Sequence, residues 1–289
     1  MAHPGSDVPA LLKLLDDEHP AVRAAVKQRL AAFGPEMERT LALHAPADLK
    51  VEPLIGQALQ LRREFFRDKL HSDWKAWLDQ PSSVLKLEQG LTLLAGYLSG
   101  AEPTSDPPDP NAGIGARLDG LAALLLSLEP HPNFRDLAAF LFVSGRFHGN
   151  EDDYYAVANS NLDKVLRDRR GNPILLACVM ILVGLRVGIE VGGCNFPAHF
   201  LARHESHENG ILYLIDCFNG GKILSAEVLI RHQPFVVPEI DRVVRTPATA
   251  EIILSRVLRN LDHAFEREGN VSEQKLMRDL WQLMAALGE

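Results

Sequence analysis

A chain of 289 residues, 46% hydrophobic and 24% charged, has the composition of an ordinary globular protein, with apolar side chains enough for one sizeable core and its appendages. Its net charge of −8 is spread thinly and no basic stripe runs along it, so a nucleic-acid backbone is not an expected partner. Three cysteines without a C-x-x-C pair make neither a disulfide framework nor a zinc knuckle, which points to a reducing compartment, the cytoplasm by default. The opening "MAHPGSD" lacks a cationic stretch followed by an apolar one, and the longest apolar run, Ile174 to Leu182, falls far short of the roughly 20 residues that span a bilayer. No membrane is expected as a partner either.

In chain order, Leu11, Leu12, Leu14 and Leu15 precede "DDEHP", and Val22, Ala25, Val26 and Leu30 follow it, which is helical periodicity broken by a turn. Residues 7–34 resemble one HEAT-type unit through Asp16, Pro20, Val22 and Arg23, but no second copy follows, and a generic helical hairpin fits equally. Helical pattern continues in "EPLIGQALQLRREFFRDKLHSDWKAWL" and "VLKLEQGLTLLAGYL", so 1–84 reads as a helical N-terminal region. The stretch 99–113, "SGAEPTSDPPDPNAG", is a proline-rich loop, and helices resume at "ARLDGLAALLLSL" and "NFRDLAAFLFVSG".

From residue 171 the pattern changes. "GNPILLACVMILVGLRVG" is apolar on nearly every side, with Pro173 suited to a first helical turn and Gly188 to the end, so it predicts a central helix covered all round. "IEVGGCNF", "HFLARHE" and "ILYLIDCF" are strand-like runs, and "NGG" at 219–221 is a hairpin turn. The expected class is α+β: the central helix on an antiparallel sheet containing residues 199–203 and 211–217, with helical extensions at both ends. After a core over 85–245, residues 246–289 predict a helix pair, the first capped by Thr246 with Pro247 behind it and the second running from Ser272 to Leu287.

The order helix, then His199, then Asp216 resembles the transglutaminase-like superfamily, in which a cysteine at the front of a buried helix is followed by a histidine and an aspartate on adjacent strands. That chemistry uses a helix N-terminus to favour a thiolate, an imidazole to hold the proton and a carboxylate to fix the tautomer. More narrowly, "FHGNEDDYY", "NSNLDKVLRDRRGNPILLA", "FPAHFLAR" and "LIDCFNGG" are similar to the bacterial SirB family, over roughly residues 85 to 287. The resemblance implies a papain- or transglutaminase-like core with a tetratricopeptide-like helical tail. It puts the superfamily's histidine on His199 and its aspartate on Asp216, but at the nucleophile position stands Pro173, which has no nucleophile to offer.

Cys178 lies five residues beyond, about 7.5 Å along the helix axis and turned by about 140°, so it is expected to be a packed core thiol. Cys194, in "GGCNFPAH", is the alternative nucleophile, since a loop there can fold its thiol back toward His199. Cys217 follows Asp216 on a strand and is expected on the opposite face. His199, His204, His207, Glu205 and Glu208 are a possible ligand set, but "RHESHENG" reads as a solvated hairpin tip, so neither a metal nor another cofactor is expected. Asn159 and Asn161 are candidates to cap the helix before Gly171, or to line the same cleft. Two functions follow: a pseudoenzyme module with a regulatory role and a protein partner, or a cysteine-dependent hydrolase or acyltransferase using Cys194 or Cys178 with His199 and Asp216.

Overall fold

A computed structural model describes residues 5–46, 50–81, 83–100, 113–197, 199–231 and 237–286. The proline-rich loop lies mostly outside the described residues. The chain divides into two compact units, one of residues 1–75 and 96–104, the other of 76–95 and 105–289.

The first unit holds α1 (Val8–Lys13), α2 (Pro20–Ala32), α3 (Met37–His44) and most of α4 (Val51–Leu78). Val8, Leu12, Leu15, Leu30, Met37 and Leu41 are buried together, so the apolar positions that recur at helical spacing in the sequence form one small core. Lys27 bridges Glu64 at 2.9 Å and Asp68 at 3.1 Å on the α4 surface.

The second unit carries most of α5 (Val84–Leu98), with α6 (Ile114–Leu128), α7 (Phe134–Ala138), α8 (Leu162–Asp168), α9 (Pro173–Arg186), α10 (Ala226–Arg231), α11 (Val237–Arg245), α12 (Ala250–Arg267) and α13 (Val271–Ala285). α7 runs on into a wider π-type turn at Ala139–Val143. Two short parallel segments, β1 (His148–Gly149) and β2 (Arg170–Gly171), pair with each other. The main sheet is antiparallel, with strands in the order β3 (Gly192–Cys194), β4 (Leu201–Glu205), β5 (Leu212–Asp216) and β6 (Lys222–Ser225).

The α+β class is as the sequence predicts. α9 is the centre of the unit: residues 173–184 are all buried, and the helix packs against α6, α7, α8, α12, β3 and β4. Proline at its first position costs no hydrogen bond there, and Asn172 caps it by accepting from the Leu175 amide at 3.0 Å. The turn at 219–221 joins β5 to β6, with Asp216 opposite Lys222. Among the described residues no helix is long and apolar enough to cross a membrane.

Three local expectations are corrected. The strands run over 201–205 and 212–216, so His199 lies in the turn leading into β4 and not on the strand. α12 is capped by Thr249, which accepts from the Ile252 amide, in place of Thr246. Thr246 instead closes α11 by donating to the Arg242 carbonyl, and Ala248 bridges to Gly193 at the sheet edge, so the helix starts only beyond that pairing. Asn161 caps α8 through the Asp163 and Lys164 amides, whereas Asn159 uses its amide group on the Asp153 and Tyr154 carbonyls and caps nothing.

Candidate active-site cleft

The site begins with a carboxylate at the end of a strand. Asp216 is the last residue of β5, and three donors converge on it: the Asn219 backbone amide at 3.1 Å and His199 Nε2 at 2.8 Å on Oδ1, and Asn219 Nδ2 at 2.8 Å on Oδ2. Burial pushes the Asp216 carboxyl up, but the hydrogen bonds from His199 and Asn219 together outweigh it and hold the group below the usual aspartate value. Asp216 therefore stays ionised as an acceptor. Asn219 was visible in the sequence only as a turn residue, yet an asparagine three positions after an aspartate can supply both of these donors.

Removing the side-chain donor has a readable consequence. Asn219→Ala is expected to move the Asp216 titration, followed by NMR of the carboxyl carbon, upward by about one pH unit. An unchanged titration would remove Asn219 from the site.

His199 is positioned by the loop before β4. Its backbone amide donates to the Phe196 carbonyl at 3.3 Å, and Arg256 of α12 donates from Nη1 to the same carbonyl at 2.9 Å and to Asn195 Oδ1 at 2.7 Å. Arg256 thus anchors the turn that carries the imidazole. With Nε2 engaged by Asp216, Nδ1 is the nitrogen left for another group.

An aromatic wall stands beside the pair. Phe218 lies edge-on to His199, ring centroids 6.5 Å apart, and edge-on to Tyr154 at 5.7 Å. Phe218 seats directly over Gly149, where a Cβ would stand 2.6 Å from its ring, so only glycine admits it. Gly149 pairs with Gly171, and the Asn150 amide donates to the Gly171 carbonyl at 3.0 Å, which ties this wall to the segment that opens α9. Behind that opening, Asn172 Nδ2 donates to Ser160 Oγ at 2.9 Å, and Asn150 donates to Asn159 at 2.9 Å. Asn159, Ser160 and Asn172 are all buried, a polar lattice around the helix front that the sequence shows only as scattered asparagines.

The cysteines sit elsewhere. Cys178 is fully buried, and burial alone pushes its thiol far up. Cys217, the first residue after β5, packs its sulfur 4.0 Å from Met180 of α9, and burial pushes it far up as well. Cys194 belongs to the apolar cluster beneath α11, with its thiol directed at the Val243 carbonyl at 3.9 Å, and burial pushes it up to about 11. None of the three hydrogen-bonds to His199, and a thiol so far above neutral pH is a poor nucleophile. Among the described residues no His, Cys, Asp and Glu group is arranged to hold a metal. His204 is turned away, stacked on Phe134 and bonded to the Glu190 carbonyl at 2.7 Å.

Comparison with known proteins agrees with this geometry at the level of the family. A "UPF0162 protein" from Xylella fastidiosa (strain 9a5c) is 42% identical over 132 residues, covering 44% of this chain and 46% of the relative. Another from Vibrio cholerae is 27% identical over 107 residues, 37% of this chain and 39% of the relative. The human "F-box only protein 21" is 25% identical over 250 residues, 76% of this chain and 39% of the relative. The chain thus spans less than half the length of these relatives. No solved structure matches it. The sequence pattern of the transglutaminase-like superfamily matches residues 113–259, half of the chain and the part that contains α9, His199 and Asp216, and the chain belongs to that superfamily.

Proposed function

We propose that the chain is a non-catalytic transglutaminase-like module of the SirB kind, with a regulatory role exercised by binding another protein in the cytoplasm. The observation that carries this reading is Pro173 at the first position of α9, where the superfamily resemblance puts the nucleophile. Proline supplies neither a thiol nor an N–H, so the paired His199 and Asp216 have nothing to activate. In this reading the pair is a vestige that satisfies its own polar groups, or a seat for an anionic group on a partner. The α12 and α13 pair is then a tetratricopeptide-like tail that offers a helical surface to that partner.

The test is incubation of the purified chain with amine-donor and amide substrates, and then of the Cys194→Ala and Cys178→Ala variants. No turnover is expected from any of them. Turnover by the parent chain that disappears in one variant would replace this reading with a displaced-thiol enzyme.

A further inference from the structure

At the far end of α9 from Pro173, about 20 Å along the helix by its rise per residue, a groove of about 630 Å³ opens between the helix end and the sheet edge. Ile181, Leu185, Ile189, Val191 and Pro247 form its apolar wall. That size and texture are those of a small-molecule site. Its polar equipment is one arginine and two glutamates.

Arg203 lines the groove from β4, its side chain only 7% exposed. Its stem lies across Gly192 on the neighbouring strand, where a Cβ would come within 3.3 Å of Arg203 Cγ, so the glycine keeps a channel open for this side chain. A guanidinium this deep is costly unless its donors are engaged. Yet Nε is buried with no hydrogen-bond partner among the described residues, and the nearest carboxylate, Glu205, is 67% exposed and 3.5 Å from Nη2, too long for a strong bond. Glu190 stands at the rim, its carboxylate in an exposed 3.4 Å contact with His207 that water readily exchanges.

A ligand that completes this arrangement needs a carboxylate for the guanidinium, an apolar body for the wall and a positive charge for the two rim carboxylates. A simple anion lacks the last of these, since Glu190 and Glu205 repel it at the mouth. We propose that this groove binds a small apolar zwitterion, a short peptide with both ends free, its carboxylate on Arg203 and its ammonium beside Glu190 and Glu205. The site is separate from the His199 cleft and does not depend on how that cleft functions.

Isothermal titration calorimetry of the full chain with leucyl-leucine tests it, beside leucyl-leucinamide, N-acetyl-leucyl-leucine and hexanoate. Saturable binding of the dipeptide is expected. The amide, which lacks the carboxylate, and the Arg203→Gln variant with the dipeptide should each bind about ten- to a hundredfold more weakly. The acetylated peptide and hexanoate, lacking the ammonium, should each weaken several-fold. Leu185→Gln, at a wall position 43% exposed and so tolerant of change, should also weaken binding, which keeps the test decisive should Arg203→Gln fail to fold. The proposal is overturned by absence of saturable binding to the parent chain, by an amide that binds as tightly as the acid, or by hexanoate matching the dipeptide.

Discussion

Pro173→Cys is expected to react with iodoacetamide up to about a hundredfold faster at pH 7 than the parent chain does. In the parent chain all three thiols are buried, and even the least shifted of them, Cys194, is pushed up by burial to about 11, so about one molecule in ten thousand carries its thiolate at neutral pH. A cysteine at the first position of α9 sits at a helix N-terminus, which lowers a thiol into the range of about 3.5–7.5. The gain in thiolate, about 2,000- to 10,000-fold, is partly offset because a less basic thiolate is a weaker nucleophile, which leaves up to about two orders of magnitude. The substitution costs only about 0.5–1 kcal/mol of backbone pre-organisation, and the Asn172 cap remains. Peptide mapping should place the label on residue 173, and adding His199→Ala should shift the pH profile of labelling upward. Residue 173 is buried in the parent chain, so a variant whose new thiol labels no faster when folded, yet labels readily once denatured, would show that this position does not open onto the His199 cleft, and the assignment of the nucleophile position would fall with it.

Lys86→Met is expected to destabilise the second unit by about 2–4 kcal/mol, lowering its melting temperature by several degrees. The Lys86 side chain is 4% exposed, and its ammonium uses three acceptors: the Leu78 carbonyl at 3.0 Å, the Gln80 carbonyl at 2.6 Å and Glu251 Oε1 at 2.9 Å. The first two close the C-terminal end of α4, where a cation is favourable, and the third joins α5 to α12. Methionine fills the space but leaves two carbonyls and a carboxylate without their donor. Burial pushes Glu251 up, but the hydrogen bond from Lys86, with lesser help from its own amide and Thr249, reverses this and brings the carboxyl down to about 2. A carboxyl depressed in the folded state stabilises the fold above its ordinary value of 4.5, and that contribution is lost as pH falls toward about 2. With Glu251 a third exposed, solvent screening reduces it to about 1–2 kcal/mol. Denaturant titrations at pH 6 and pH 2.5 should show this loss in the parent chain and its absence in Lys86→Met. Equal pH dependence in both would sever the two residues.

Most of the second unit was legible in the sequence because its signals are strong and local. An all-apolar run framed by Pro173 and Gly188 has one stable placement, at the centre, and the strand-like runs on either side of the turn after Glu205 pair with each other as a hairpin. α10 and α11 were missed, since "AEVLIR" and "VPEIDRVVR" are too short for periodicity to separate from loop. The Thr246 cap failed for a different reason: threonine followed by proline is the right local signal, but the bridge between Ala248 and Gly193 is a long-range pairing that overrides it. Within the cleft, His199 and Asp216 were found through their order along the chain. Asn159 was named as a residue that could line the cleft, but Phe218, Arg256, Asn172 and Asn219 were not, because a positioning side chain has no spacing rule: Arg256 reaches back 60 residues to the Phe196 carbonyl.

The burial of α9 on every side sets how this protein breathes. A helix with no wet face cannot fray along its length, so its amides in the second and third turns meet solvent only when the whole unit opens, and hydrogen exchange there reports the global unfolding free energy. The hairpin tip at 206–210 is exposed and opens by itself. The front of the helix is held by the Asn172 cap and its bond to Ser160, while β1 and β2 beside it pair with each other over only two residues. Local opening at β1 would loosen the floor under Phe218 while leaving the central helix protected, so the cleft can rearrange around a ligand without any part of the core unfolding.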